Sequence, residues 1–495
     1  MLSQTIAEFL FYAKTHLSLS PLDAIYCQNL LLKRFGLQQP YEGEVDEKAI
    51  ASETLPDRYV EAFSQYFMEK EGMDANEAER ECVWLFGLVS PRPSEVSREF
   101  EKNRAVSPDL ALDELYRLSI ANYYVQKSKI DKNIVFNASF SDGPDLEISI
   151  NLSKPEKNNK DIAKLVHAKA SGYPACALCK ENLGFEGDAR RPARENIRIV
   201  PLKLDEEDWY LQYSPYGYYY EHCILLFDQH VPMEMNRRIL SKLLSFLDQF
   251  PGFFIGSNSD LPIVGGSILN HEHFQGGRHE MPLFKAKALR EIPCPHFPHC
   301  KLEEIDFYNT VLRIASASHD ELLDLAETIM TAWRHYDDPA CSILSSDAAG
   351  QHSTVTPLAK KVDGVYQMYL ILRNNRCDET YPDGIFHAHP EYAHIKHEGI
   401  GLIEAAGLFI LPARLVRQSK EAEEASAKHW SMEEAVSHYP DLDIFSDMIE
   451  KLNQGMTTKQ YLASVCRGIL NNVAVFKKDE EGKAGLSRFL GKVNL

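Results

Sequence analysis

The segment Gly265-Gly-Ser-Ile-Leu-Asn-His271-Glu-His273-Phe-Gln275-Gly-Gly277 concentrates the reactive side chains of this chain. An apolar run enters it, so the spacing predicts a strand, and a period of two puts His271, His273 and Gln275 on one side. One imidazole there can attack phosphorus, and the amide can donate to the non-bridging oxygens as charge shifts. Glycine pairs on either side let backbone or ligand approach closely. The alternative is a pair of structural histidines in a tight turn; Gln275 and the bracketing glycines weigh against it.

A second signal is Cys176-Ala-Leu-Cys179. Two thiolates at this spacing can bind one tetrahedral metal, form a redox pair, or lie inert in a core. Any further ligands must be distant in sequence, and His230 and His271 are the best candidates. Two other clusters are rich in ligand types. Cys294-Pro-His296-Phe-Pro-His299-Cys300 is stiffened by its prolines and has no second cluster to pair with, so it is not expected to hold a metal. His387-Ala-His389, followed by His394 and His397, is expected to touch substrate rather than metal. Arg190, Arg191, Arg194 and Arg198 follow the cysteines closely, and arginine forks suit bidentate phosphate contacts.

The elements that must position these residues come from the rest of the chain. Its 495 residues are enough for two to four domains at roughly 100–200 residues each. With 44% hydrophobic and 25% charged residues it has the balance of a soluble globular protein. A net charge of −19 excludes a protein held mainly by nucleic-acid phosphates. No segment has the charge pattern of a signal peptide, and no apolar run reaches the ~18 residues of a membrane span. Ten scattered cysteines point to free thiols and the cytoplasm.

Residues 1–130 read as helical, with a polar loop over 38–58. Ser107-Pro108-Asp109 opens one helix, and Ala111, Leu115, Leu118 and Ala121 recur along it at helical spacing. Strands are expected at 134–140, 146–152, 196–204, 208–213 and 216–227. A helix follows, opened by Pro232, then the short strands FFIGS and IVGGSIL. The order helix, strand, Gly/Ser-containing loop, strand occurs at 232–275 and again at 320–373, which suggests a duplicated α+β unit. In the second copy Tyr369 and Ile371 stand where the first has histidines. An apolar helix is expected over 399–411, and 420–495 is again helical.

Gly266-Ser267 followed by His271-x-His273-x-Gln275 resembles the active-site segment of galactose-1-phosphate uridylyltransferases. Asn258 sits near that family's uridine-phosphate-contacting asparagine. HIKHEGIGLIEAAGLFILPARL (394–415) and YSPYGYYYEHCILLF (213–227) resemble its bacterial class II branch. The resemblance implies a histidine-triad fold: an α+β protein of two histidine-triad-like halves, 131–290 and 291–419, with helical regions at 1–130 and 420–495. It implies transfer of UMP from UDP-glucose to galactose 1-phosphate, with His273 as nucleophile and Gln275 steadying the uridylylated histidine. Cys176, Cys179, His230 and His271 match four structural zinc positions of the class I branch. Asn258, Ser267, Arg190, Arg191, Arg194, His387 and His389 are then the expected substrate contacts.

No organic cofactor, nucleic acid or membrane partner is expected; a cytoplasmic homodimer is compatible with the resemblance. Three positions depart from the family: Glu272 replaces a proline between the histidines, and Tyr369 and Ile371 replace the class I second-metal HxH. Another nucleotidyltransferase or nucleotide phosphorylase of the superfamily, or a non-catalytic zinc-stabilised nucleotide-binding protein, are the alternatives.

Overall fold

A computed structural model describes residues 2–153, 172–188, 191–348 and 350–495. They divide into two units. The first takes the described residues of 1–132, 157–217 and 221–230; the second takes those of 133–156, 218–220 and 231–495.

In the first unit, helices run from Leu2–His16 to Lys127–Ile130, as the apolar periodicity of 1–130 predicts. Phe9, Tyr59, Phe63, Phe67 and Phe86 fill their core. Local chemistry sets the helix starts. Ser107 accepts from the Leu110 N–H at 3.1 Å before Pro108–Ala121, and Asp74 with Glu77 forms a capping box before Ala75–Val89. The stretch 38–58, expected as a loop, contains the short helix Glu47–Ala51, capped by Asp46. Val200–Leu204, Glu207–Tyr213 and Cys223–Phe227 form an antiparallel ribbon. The last strand starts later than expected because the Ser214 N–H bonds the His222 carbonyl at 2.7 Å and turns 215–221 out of the ladder.

The second unit is built on an antiparallel sheet in the order His273–Gly277, Phe254–Gly256, Ser353–Val362, Val365–Asn374, Val311–Ser316, Lys301–Ile305, Ala288–Ile292. Helices Arg237–Gln249 and His319–Arg334 pack on it through Leu240, Leu243, Leu247, Leu322, Ile329 and Trp333. The two copies of the repeat meet where Phe254–Gly256 pairs with Leu358–Lys360. A smaller sheet joins Ile134–Phe140, Gly143–Asn151 and, in parallel, Leu408–Pro412. Helices from Arg414–Ala427 to Glu480–Leu490 complete the unit.

Three local expectations are corrected. IVGGSIL is not a strand: 257–272 is a loop folded on itself, where a Cβ on Gly265 would come 2.6 Å from the Ser259 carbonyl oxygen. The helix after 231 is opened by Asn236, which accepts from the Ile239 N–H at 3.2 Å, not by Pro232. Instead the backbone at 231–233 bonds the loop at 269–272, through Met233 N–H to the Leu269 carbonyl and Glu272 N–H to the Val231 carbonyl, both at 2.9 Å. The apolar run 399–411 is helical only over Leu402–Ala405. Gly407, at φ 95°, breaks it and lets Leu408–Pro412 join the sheet. No helix among the described residues is long and apolar enough to cross a membrane.

Candidate functional site

His273 is the first residue of the strand His273–Gly277, and pairing with Phe254–Gly256 sets its direction. Its ring is buried. Nδ1 lies 2.8 Å from the His271 carbonyl oxygen, an acceptor only, so Nδ1 carries the proton and donates. Nε2 therefore keeps its lone pair. Burial pushes the imidazole down to about 4, against the hydrogen bond to the His271 carbonyl, so the ring is neutral near pH 7. Gln275 follows two residues later on the same strand face, opposite Gly256.

The spacing grouped His271 with these two on one strand face. The strand begins only at His273, and His271 is a buried residue of the preceding loop. Glu272, which departs from the family pattern, is buried and has its own partner: Arg238 Nη1 lies 2.9 Å from both of its carboxylate oxygens. Arg238 is on the helix Arg237–Gln249, so the ion pair holds the loop against that helix.

Asn258 is buried. Its Oδ1 accepts from the Leu402 N–H at 2.9 Å, and a Cβ on Gly266 would come 2.6 Å from its Nδ2. The absence of side chains at Gly266 and Gly401 is what lets the two loops close around this amide. Ser267 is exposed on the same loop. His387 is buried and accepts from the Ile400 N–H through Nε2 at 3.3 Å. His389 stacks on Tyr381 with ring centroids 3.9 Å apart, its Nε2 3.0 Å from the Ile385 carbonyl oxygen. His394 lies against the Tyr461 hydroxyl at 2.9 Å, and His397 is exposed.

In the first unit, Cys176 and Cys179 bring their sulfurs within 3.5 Å, and His230 Nδ1 lies 3.1 Å from Cys179 Sγ. The local turn is held by Asn182, whose amide donates to the Cys176 and Cys179 carbonyls at 2.9 and 2.7 Å. The Leu178 N–H points at Cys176 Sγ at 3.3 Å, the direction that stabilises a thiolate. The three ligand atoms lie within 4.8 Å of one another and could hold a metal ion. Two soft sulfurs and an imidazole fit zinc better than a hard cation. The Cys294–Cys300 loop belongs to no such group among the described residues; its His299 pairs with Glu321 at 2.7 Å.

The arginines divide. Arg190 lies outside the described residues. Arg191 bonds Asp188 and the Pro174 carbonyl and lies over the Phe185 ring. Arg194 lies over the Tyr124 ring. Arg198 is buried and spends its donors on backbone, including the Gly87 carbonyl at 3.2 Å and the Pro91 carbonyl. Sequence reasoning missed Asn182 and the Arg238 partner of Glu272, which have no motif. It also passed over Arg373, a charged residue at the end of a buried apolar strand, and that position was itself a readable signal.

The family model described as galactose-1-phosphate uridyl transferase, N-terminal domain, matches residues 19–232, and the corresponding C-terminal domain matches 246–441. The chain is 40% identical over 478 residues to galactose-1-phosphate uridylyltransferase of Clostridium acetobutylicum, covering 94% of this chain and 95% of that one. It is 40% identical over 504 residues to the Lactococcus lactis protein of that name, covering 99% of each. To the Ligilactobacillus salivarius protein of that name it is 42% identical over 424 residues, covering 84% and 85%. With both domain models matched in order and relatives aligned almost end to end, this α+β chain belongs to the galactose-1-phosphate uridyl transferase family.

Proposed function

We propose that this chain is a nucleotidyltransferase of galactose metabolism that moves UMP from UDP-glucose to galactose 1-phosphate through a uridylyl-His273 intermediate. His273 Nε2 attacks the α-phosphorus, the bond to the β-phosphoryl oxygen breaks, and glucose 1-phosphate leaves. A phosphate oxygen of galactose 1-phosphate then attacks, the P–N bond breaks, and UDP-galactose leaves with His273 neutral again. Both leaving groups are stable anions or a neutral imidazole, so no strong general acid is needed. The observation that carries this reading is the Nδ1–H contact to the His271 carbonyl at 2.8 Å, which fixes the tautomer and leaves Nε2 as the nucleophile. Gln275 donates its amide to a non-bridging oxygen. Asn258, Ser267, His387 and His389 line the substrate side, with Arg190, Arg191 and Arg194 as phosphate contacts.

In this reading Cys176, Cys179 and His230 hold a structural zinc with His271 as fourth ligand, since a closed zinc site takes four donors. The chain works in the cytoplasm as a homodimer, and the histidine-triad-like halves are 131–290 and 291–419 between the helical ends 1–130 and 420–495. The test is intact mass after incubation with UDP-glucose alone. A covalent UMP adduct on the wild type, mapping to His273, is expected. No adduct, or an adduct on another residue, overturns the mechanism.

A further inference from the structure

Behind the histidine-bearing loop of the second unit lies a set of polar groups to which the reaction above assigns no step. Arg373, on the strand Val365–Asn374, is fully buried. Its Nη2 donates to the Ile400 carbonyl at 2.8 Å and its Nη1 to Thr356 Oγ1 at 3.3 Å, while Nε has no hydrogen-bond partner. The carboxylate that acts on it, Glu404, is itself paired with Lys396 at 3.0 Å. Burial lowers the guanidinium only to about 10, so it stays charged near pH 7. A buried cation with no carboxylate of its own is costly to keep.

Ile400 links this cation to an imidazole. Its carbonyl takes Arg373, and its N–H donates to His387 Nε2 at 3.3 Å. In a neutral imidazole one nitrogen accepts and the other carries the proton, so this contact places the proton on Nδ1. Burial, then the nearby Arg373 charge, push His387 down to about 4 and keep it neutral. The residue is 6% exposed, and its Nδ1 is buried without a hydrogen-bond partner. His387 Nδ1–H is thus a fixed donor that makes no full hydrogen bond within the protein; the Ala388 backbone and the Asp383 carboxylate act on the ring in the opposite sense to burial and Arg373 but do not outweigh them.

The surroundings belong to the reacting loop. A Cβ on Gly384 would come 3.0 Å from His387 Cβ and 3.1 Å from Ile263 Cγ2, so His387 and Ile263 flank the same narrow space. Ile263 is on the loop 257–272 that leads into His273. Thr356, which takes Arg373, also bonds Ser259 of that loop at 2.7 Å, and Asn258 bonds the Leu402 N–H. One hydrogen-bonded set therefore ties Arg373 and residues 400–402 to the loop before the nucleophile.

We propose that His387 donates its Nδ1–H to a phosphoryl oxygen of the bound substrate, and that Arg373 is a positioning residue that presents this donor through Ile400. The proposal rests on the uridylyltransferase reading for the substrate but not for the donor. On a chain of net charge −19, a neutral N–H backed by a buried guanidinium selects an anionic acceptor. That oxygen belongs either to the uridylyl group or to the hexose 1-phosphate.

Nitrogen-15 spectra of histidine-labelled, ligand-free protein test the donor first, independently of any activity. His387 in the Nδ1–H tautomer at neutral pH is expected; the Nε2–H tautomer overturns the proposal. Arg373→Met should mix the tautomers and Arg373→Lys, which keeps a buried cation, should restore Nδ1–H. An unaltered tautomer in Arg373→Met removes its positioning role, and if that variant does not fold, the His387 variants carry the test. His387→Leu should slow turnover roughly 10- to 150-fold, and His387→Asn, which keeps an amide donor near Nδ1, should recover most of it. Equal slowing of both half-reactions assigns the oxygen to the uridylyl group. A raised KM for galactose 1-phosphate with unchanged adduct formation assigns it to the hexose phosphate. Changes under about twofold in both overturn the proposal. Absence of an adduct on the wild type counts against the transferase reading, and the tautomer result stands apart from it.

Discussion

At the residue scale, the chemistry reduces to which nitrogen of His273 is free. The strand starts at this residue, so its own backbone enters the ladder while its ring turns back to the His271 carbonyl. On the proposed mechanism His273→Ala removes the nucleophile, and intact mass should then show no UMP adduct with turnover at background. Gln275→Ala keeps the nucleophile and loses one charge-assisted hydrogen bond. It should cost on the order of 1.5–3 kcal/mol, roughly 10- to 150-fold in the single-turnover rate, with the adduct still forming. An adduct of unchanged yield on His273→Ala protein would disprove the assignment. The Glu272 departure has a physical account at this scale. A proline there would give up both the Arg238 ion pair and the N–H bond to the Val231 carbonyl.

Among the elements, the cysteine turn and the arginine-bearing segment invite separate tests. The turn Cys176–Cys179 is braced by Asn182, and burial pushes the Cys176 thiol up to about 11 in the metal-free protein. A metal must therefore displace protons to bind, and its removal should be read as lost stability. Purified protein should carry about one zinc per chain by elemental analysis. Chelation or Cys176→Ser should cost ~2.7–4 kcal/mol in denaturant unfolding, the effect of a ligand at roughly 100 to 1,000 times its Kd. Folded, active protein with no metal would contradict this.

Glu195 behaves differently, since burial raises its carboxyl from 4.5 to about 7, and one carboxylate oxygen has no partner. Between those values the unfolded chain ionises while the folded one holds its proton. Stability therefore falls as pH rises from 4.5 to 7 and levels above it. Allowing for partial exposure, this is worth about 1–2 kcal/mol. Urea unfolding of Glu195→Gln across that range should lack this component, and an identical slope in wild type and variant would refute it.

For the whole molecule, the duplicated helix–strand–strand unit raises the question of a second reaction centre. The second copy places Tyr369 and Ile371 on the strand Val365–Asn374, both fully buried, with the Tyr369 hydroxyl donating to Gln367 at 3.1 Å. Neither can become a nucleophile toward phosphorus in that setting. Labelling with UDP-glucose to completion should give at most one uridylyl group per chain, and a stoichiometry of two would refute this reading of the repeat.

The sequence by itself determined what short-range rules govern. The helix start at Ser107, the shared face of His273 and Gln275 and the approach of Cys176 to Cys179 all follow from spacing over a few residues. Strand ends and loop paths escaped it. IVGGSIL has the composition of a strand, yet glycine contacts fold it back, and the run 399–411 divides between helix and strand at Gly407. Only the tertiary structure decided which ring nitrogen of His273 and of His387 carries the proton, and why Glu272 and Arg373 can be buried. The His273 partner is only two residues away, but the loop path that presents the His271 carbonyl is fixed by tertiary contacts, and the partners of His387, Arg373 and Glu272 come from other elements that no local pattern encodes.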